Sequence, residues 1–165
     1  TAEEIVMTGR TPYQGRFEGT SIGDKEAVYR AFSLTKADKL KDKKFAILSG
    51  GEKKKIVIAR AVAQTTPWML LDEPIASLDI KNQIEIMQTL SELNRQEGVS
   101  VLMVLHDINL AGIYCDRLIM LKDGQVIAAG NTNECLCEEN LKKLYDISFF
   151  HMDTKKGQRY YYAEI

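Results

Sequence analysis

Trp68-Met69-Leu70-Leu71-Asp72-Glu73-Pro74 is a short apolar run that ends abruptly in two carboxylates and a proline. Four apolar residues in succession, with no polar alternation, are the pattern of a strand buried on both faces. Residues 99–105 repeat the pattern and deliver His106-Asp107. Between the runs Ile84, Met87, Leu90 and Leu93 step at helical spacing, and Gly98 supplies a stop. Alternating strand and helix predicts an α/β fold with a mainly parallel sheet. Such sheets hold ligands at the carboxyl ends of their strands. Asp72 therefore suits Mg²⁺, directly or through water, and Glu73 suits orienting or deprotonating an attacking water. A strand closed by a polar turn at Pro74 accounts for the same residues without chemistry. His106 stands at the matching strand-end position, although a lone histidine is more often structural than catalytic.

Upstream, Leu48-Ser49-Gly50-Gly51-Glu52 leads into an amphipathic helix expected over residues 53–63. Ser49 and Glu52 have the spacing of a capping box, and two glycines admit a close backbone or ligand. A helix N-terminus offers free N–H groups and the positive end of a dipole, a natural phosphate seat. Lys53, Lys54 and Lys55 oppose that dipole and call for a nearby anion. A plain capped helix with solvated lysines explains the pentapeptide equally well. Downstream of the strand, Ala76-Ser77-Leu78-Asp79 places Asp79 to cap the next helix.

The remaining segments are simpler. Thr1 and Glu4 form a further capping box, predicting a helix over residues 2–8 that stops at Gly9. Residues 9–23 hold four glycines and Pro12 and read as loop. Gly15, Gly19 and Gly23 match a small-residue packing spacing, but Arg16 and Glu18 between them favour a plain loop. Asp24 is placed to cap a helix to Leu34, with Ala27, Val28, Ala31 and Phe32 on one face. Five lysines and two aspartates in residues 36–44 read as solvated surface. Residues 117–121 and 125–129 flank Asp123-Gly124, a hairpin signal. A helix is expected over 138–145, and a small hairpin from 149–152 and 159–163 around Lys156-Gly157. The chain thus divides into a helical part (1–64), an alternating part (65–131) and a mixed tail (132–165).

Composition narrows the function. The 165 residues carry 22 basic and 23 acidic side chains, so no charge excess points to nucleic acid or a membrane surface. At 45% hydrophobic and 27% charged the chain is ordinary globular material. No apolar run approaches the roughly 18 residues of a membrane-spanning helix. Three cysteines (Cys115, Cys135 and Cys137) indicate no disulfide framework. Cys135-x-Cys137 lacks the second pair a thiolate metal site needs.

Together the motifs resemble those of the ATP-binding cassette (ABC) ATPases. Leu48–Glu52 is similar to the signature motif, Leu70–Asp72 with Glu73 to Walker B, Ser77-Leu78-Asp79 to the D-loop and His106 to the switch histidine. The opening segment, a helix ending Gly9-Arg10-Thr11-Pro12, is similar to importers of iron-siderophore, haem and cobalamin, as is the signature helix through Ala63-Gln64. Glu52 stands where Gln is commoner, and Ile75-Ala76 where Thr-Ser is. No glycine is followed by lysine, so the P-loop pattern is absent from the sequence. The resemblance therefore implies part of a P-loop NTPase core of the RecA-like/ABC kind preceded by a helical signature subdomain, the later two-thirds of a nucleotide-binding subunit.

The implied cofactors are ATP and Mg²⁺. The implied partners are a second ATPase subunit, arranged head to tail, transmembrane permease subunits and, indirectly, an extracytoplasmic substrate-binding protein. The implied place is the cytoplasmic face of the membrane. The resemblance implies that Ser49, Gly50, Gly51, Glu52 and Asp79 meet ATP across the dimer interface. It implies Asp72 at Mg²⁺, Glu73 as base, and His106 at the γ-phosphate. Two other functions compete for the same residues. A short non-catalytic chain lending a signature half-site has no use for Glu73 or His106. A DNA-repair type of ABC ATPase needs long heptads, which are lacking.

Overall fold

A computed structural model describes residues 1–15, 19–155 and 157–164. The chain forms two compact units, Thr1–Val104 and Leu105–Ile165. Arg16 and Glu18 of the small-residue loop, and Lys156 of the last turn, lie outside the described residues.

The first unit begins with α1 (Ala2–Met7), whose Thr1–Glu4 capping box forms as expected. A tight 3₁₀ turn, Thr8–Tyr13, follows it, so Gly9 narrows the helix instead of ending it. Next comes α2 (Ile22–Leu34), which starts earlier than the Asp24 cap predicts. Ser21 is the cap and Asp24 answers it from the third helical position, because a reciprocal box satisfies two amides where one side chain satisfies fewer. Gly23 therefore sits inside the helix. The lysine-rich segment is more than a solvated face. Leu40 and Ala37 are buried, and the carbonyls of Lys43 and Lys41 accept the first amides of α1. Helix α3 (Gly50–Val62) packs its Ile56 and Ala59 against Val6, Val28, Phe32 and Leu48, giving a core of helices alone.

Beyond that lobe, β1 (Trp68–Leu71) pairs in parallel with β2 (Ser100–Met103), Trp68 opposite Ser100 and Leu71 opposite Met103. They are joined by α4 (Ile80–Glu97), capped by Asp79 and ended by Gly98 in the left-handed region. The buried stripe of α4 is Ile86, Met87, Leu90 and Leu93; Ile84, expected on that stripe, is exposed. The strands also differ from expectation. Trp68, Leu70, Leu102 and Val104 are 59%, 72%, 53% and 51% exposed, whereas Met69 is buried. Side chains alternate along a strand, and the elements of this unit cover only one face.

The second unit starts with α5 (Ile108–Tyr114), capped by Asp107. The antiparallel hairpin β3 (Arg117–Lys122) and β4 (Gln125–Asn131) turns at Asp123-Gly124, both with positive φ, as the dipeptide predicts. Helices α6 (Thr132–Cys135) and α7 (Glu138–Tyr145) lead to a second hairpin, β5 (Phe149–Asp153) and β6 (Arg159–Ala163). Met120, Cys135, Leu136, Leu141 and Tyr161 form this core. Asn109 on α5 clasps Tyr161 on β6 in both directions, accepting from its amide at 2.8 Å and donating to its carbonyl at 3.1 Å. Burial pushes the Cys115 thiol up to about 11, which suppresses thiolate chemistry there.

Candidate functional site

Three short segments of the first unit converge around the N-terminus of α3. Leu48 is buried in the helical core and anchors the loop, leaving Ser49 and Gly50 exposed. Ser49 Oγ accepts the Glu52 amide, and the Glu52 carboxylate accepts the Ser49 amide at 2.9 Å. Lys43 Nζ lies 3.2 Å from the other Glu52 oxygen. Those bonds, the Ser49 amide foremost, hold the Glu52 carboxyl below its usual range. Glu52 is thereby turned back into the cap. The amides of Gly50 and Gly51 belong to the first turn, where no intrahelical carbonyl can reach them.

The two glycines have different reasons for being glycine. A Cβ on Gly51 would lie 2.5 Å from Oδ1 of Asn82 on α4. A Cβ on Gly50 would meet only Leu78, at an ordinary 3.9 Å. Packing therefore demands Gly51 but not Gly50. Asn82 is itself held by Asp79, through its amide at 2.9 Å and its side chain at 2.7 Å. Accepting from Asn82, first from its backbone, keeps the Asp79 carboxyl low. The start of α3 and the start of α4 are thus one packed corner.

β1 feeds the same corner. Asp72 is exposed at the strand's carboxyl end and Glu73 is half-buried beside it. Glu73 and Ser77 both have positive φ, 43° and 60°, an uncommon conformation for residues with a Cβ. Pro74 and Ile75 are buried between them and pin the turn. Two of the three lysines expected to need an external anion find partners within the chain. Lys54 Nζ donates to the Glu73 main-chain carbonyl at 3.0 Å, and Lys55 pairs with Glu85 of α4 at 2.7 Å. Successive helix positions diverge by a large angle, so neighbouring lysines can serve different elements.

His106 belongs to the second unit, exposed and just ahead of the Asp107 cap of α5. The far end of α3 carries a junction that the sequence reading missed. Arg10 donates to Asp24 at 2.9 Å, to the Ala63 carbonyl at 2.9 Å and to Thr65 at 3.1 Å. Its guanidinium also lies 3.9 Å over the Tyr13 ring. Gly9 is pressed there too, since a Cβ on it would stand 2.3 Å from the Arg60 carbonyl. The Gly9-Arg10-Thr11-Pro12 string was the available signal.

The sequence model of the family described as ABC transporter matches residues 3–76. Those residues contain both the Ser49 corner and the Asp72-Glu73 strand end. Residues 3–76 are an ABC transporter family domain. It is 39% identical over 153 residues to the ferric enterobactin transport ATP-binding protein FepC of Escherichia coli (strain K12), covering 93% of this chain and 56% of FepC. To the iron(3+)-hydroxamate import ATP-binding protein FhuC of Bacillus subtilis (strain 168) it is 37% identical, covering 89% of this chain and 55% of FhuC. The chain spans just over half the length of these ABC relatives. Among solved structures, an inward-facing metal-chelate type ABC transporter superposes with a TM-score of 0.93 at 26% identity. That match covers 100% of this chain and 66% of the other. The ATP-binding cassette MJ0796, in a dimeric post-hydrolysis state with ADP and Pi, gives 0.65 at 32% identity over 80% of this chain and 56% of its own. The fold is accordingly that of an ABC-type P-loop NTPase, and the family as a whole binds ATP.

Proposed function

We propose that this chain supplies the signature and Walker B portion of the ATP-binding subunit of an importer. Its cargo class is iron-siderophore, haem or cobalamin. The subunit works as a head-to-tail pair, docked on transmembrane permease subunits at the cytoplasmic face. The likeness to FepC and FhuC, which serve ferric enterobactin transport and iron(3+)-hydroxamate import, supports the iron-siderophore member of that class. No helix among the described residues is long and apolar enough to cross a membrane, which fits a subunit that borrows its membrane part. The observation that carries the reading is the shared corner, where Ser49 and Gly50 are presented at a capped helix end beside Asp79 while Asp72 and Glu73 leave the strand next to it.

In this reading Ser49 and the Gly50 and Gly51 amides contact the phosphates of the ATP held by the partner subunit. Glu73 accepts a proton from the attacking water, and His106 holds that water and the γ-phosphate in line. Asp79 lies at the subunit interface. The donor set at Asp72 fits Mg²⁺, being a hard, exposed carboxylate oxygen. Among the described residues no group of three or more His, Cys, Asp or Glu could hold a metal. Asp72 would therefore share the ion with water and phosphate oxygens, the usual surroundings of Mg²⁺. The bound ion would offset developing phosphate charge.

Uptake by vesicles carrying the assembled transporter decides the cargo. Ferric siderophore, haem and cobalamin are offered in turn, with and without ATP. ATP-dependent accumulation of one of them, lost in Ser49→Arg, supports the proposal. Accumulation of none contradicts it.

A further inference from the structure

We propose that Lys54 is a positioning residue, whose ammonium ties the main chain at Glu73 to the helix that presents Ser49. The inference rests on the reading of Glu73 as the base. Glu73 occupies the left-handed region at φ 43°, an unfavourable conformation for a residue with a Cβ. Such a conformation persists only where its surroundings impose it. Two donors converge on its carbonyl, Lys54 Nζ at 3.0 Å and the Ala76 amide at 3.3 Å. The first is charged and half-buried, so it is the stronger of the two. Pro74 follows at once with its fixed φ, and any rotation of the Glu73 carbonyl must also reorient the carboxylate.

Lys54 also sits near the positive end of α3, where a lysine is unfavourable unless something compensates. The Glu73 carbonyl is that compensation. Lys55 faces Glu85 instead, so the two lysines are not interchangeable. The Ser49 end of α3 and the Glu73 turn serve different nucleotides of the pair in the proposed reading. A contact between them within one subunit holds both half-sites in register.

The test uses the complete ATP-binding subunit in its transporter, with Lys54→Met, Lys54→Arg and Glu73→Gln. Met keeps the stem and removes the donor, whereas Arg keeps a donor. A small misplacement of a reacting group costs on the order of 10²-fold, so Lys54→Met is expected to lower kcat by at least about 10-fold. KM for ATP should stay near the parental value, and Lys54→Arg should recover most of the rate. Hydrogen exchange of the 73–77 turn should speed up in Lys54→Met and not in Lys54→Arg, with the rest of α3 unchanged. Parental kcat and unchanged exchange in Lys54→Met would overturn the inference, as would equal losses in the Met and Arg variants. Glu73→Gln separates the two claims. If it turns over at the parental rate, the reading of the base fails, while the exchange comparison still decides whether Lys54 holds the turn.

Discussion

Gly50 and Gly51 adjoin in sequence but answer to different constraints. Asn82 crowds Gly51, so Gly51→Ala must displace a side chain already bonded to Asp79. Overpacking of this kind costs about 1–3 kcal/mol, which denaturant unfolding of the chain will register. Gly50→Ala meets no such obstacle, and alanine is the better helix former by up to about 1 kcal/mol. Its stability should equal or exceed the parent's. Nucleotide-driven pairing of the complete subunit should nevertheless weaken in Gly50→Ala, because the added methyl lies on the exposed side where a phosphate would approach. Unimpaired pairing in that variant would remove Gly50 from the contact surface.

At the scale of elements, the Arg10–Asp24 junction joins the 3₁₀ turn, the cap of α2 and the end of α3. The Arg10 guanidinium, and then Ser21, hold the Asp24 carboxyl below its usual range. A carboxylate with a depressed folded pKa stabilises above its unfolded value and loses that contribution as pH falls through the folded one. The parent should therefore melt above Asp24→Asn at neutral pH, and the gap should close as pH drops below about 4. A gap independent of pH would mean that Asp24 acts by packing alone. Elements were legible where local chemistry decides them: the Asp123-Gly124 turn, the Gly98 stop, and the two hairpins and α7 of the second unit, whereas the short helices α5 and α6 carry too few periodic positions to show. Helix starts were read late at α2 and α3, because glycine near a helix start reads as loop although the capping box outweighs its low propensity. The Lys54–Glu73 and Arg10–Ala63 bonds were not legible, since a long side chain reaching a distant carbonyl leaves no periodic trace. Nor was the open strand face, because a continuous apolar run looks the same whether one face or two are covered.

For the molecule as a whole, that face is the main consequence of the fold. Trp68, Leu70, Leu102 and Val104 are exposed on the first unit, and Ile119, Leu121 and Val126 on the second. Apolar surface of this kind drives association, so the 165-residue chain should self-associate at micromolar concentration. A compact monomer by light scattering would contradict that expectation. The chain alone should also show no ATP turnover, since it has no P-loop to cradle the phosphates. Turnover by the purified chain that Glu73→Gln abolishes would refute this. In the proposed reading the strand-end carboxylate of Glu73 works as the base of an ABC-type ATPase. Steady-state ATP turnover of the complete subunit carrying Glu73→Gln tests it most directly. Glu73→Gln should lose about 10²-fold or more in rate with nucleotide-driven pairing retained, because the amide keeps the shape and loses the proton acceptor. Turnover at the parental rate would make Glu73 structural and contradict the mechanism.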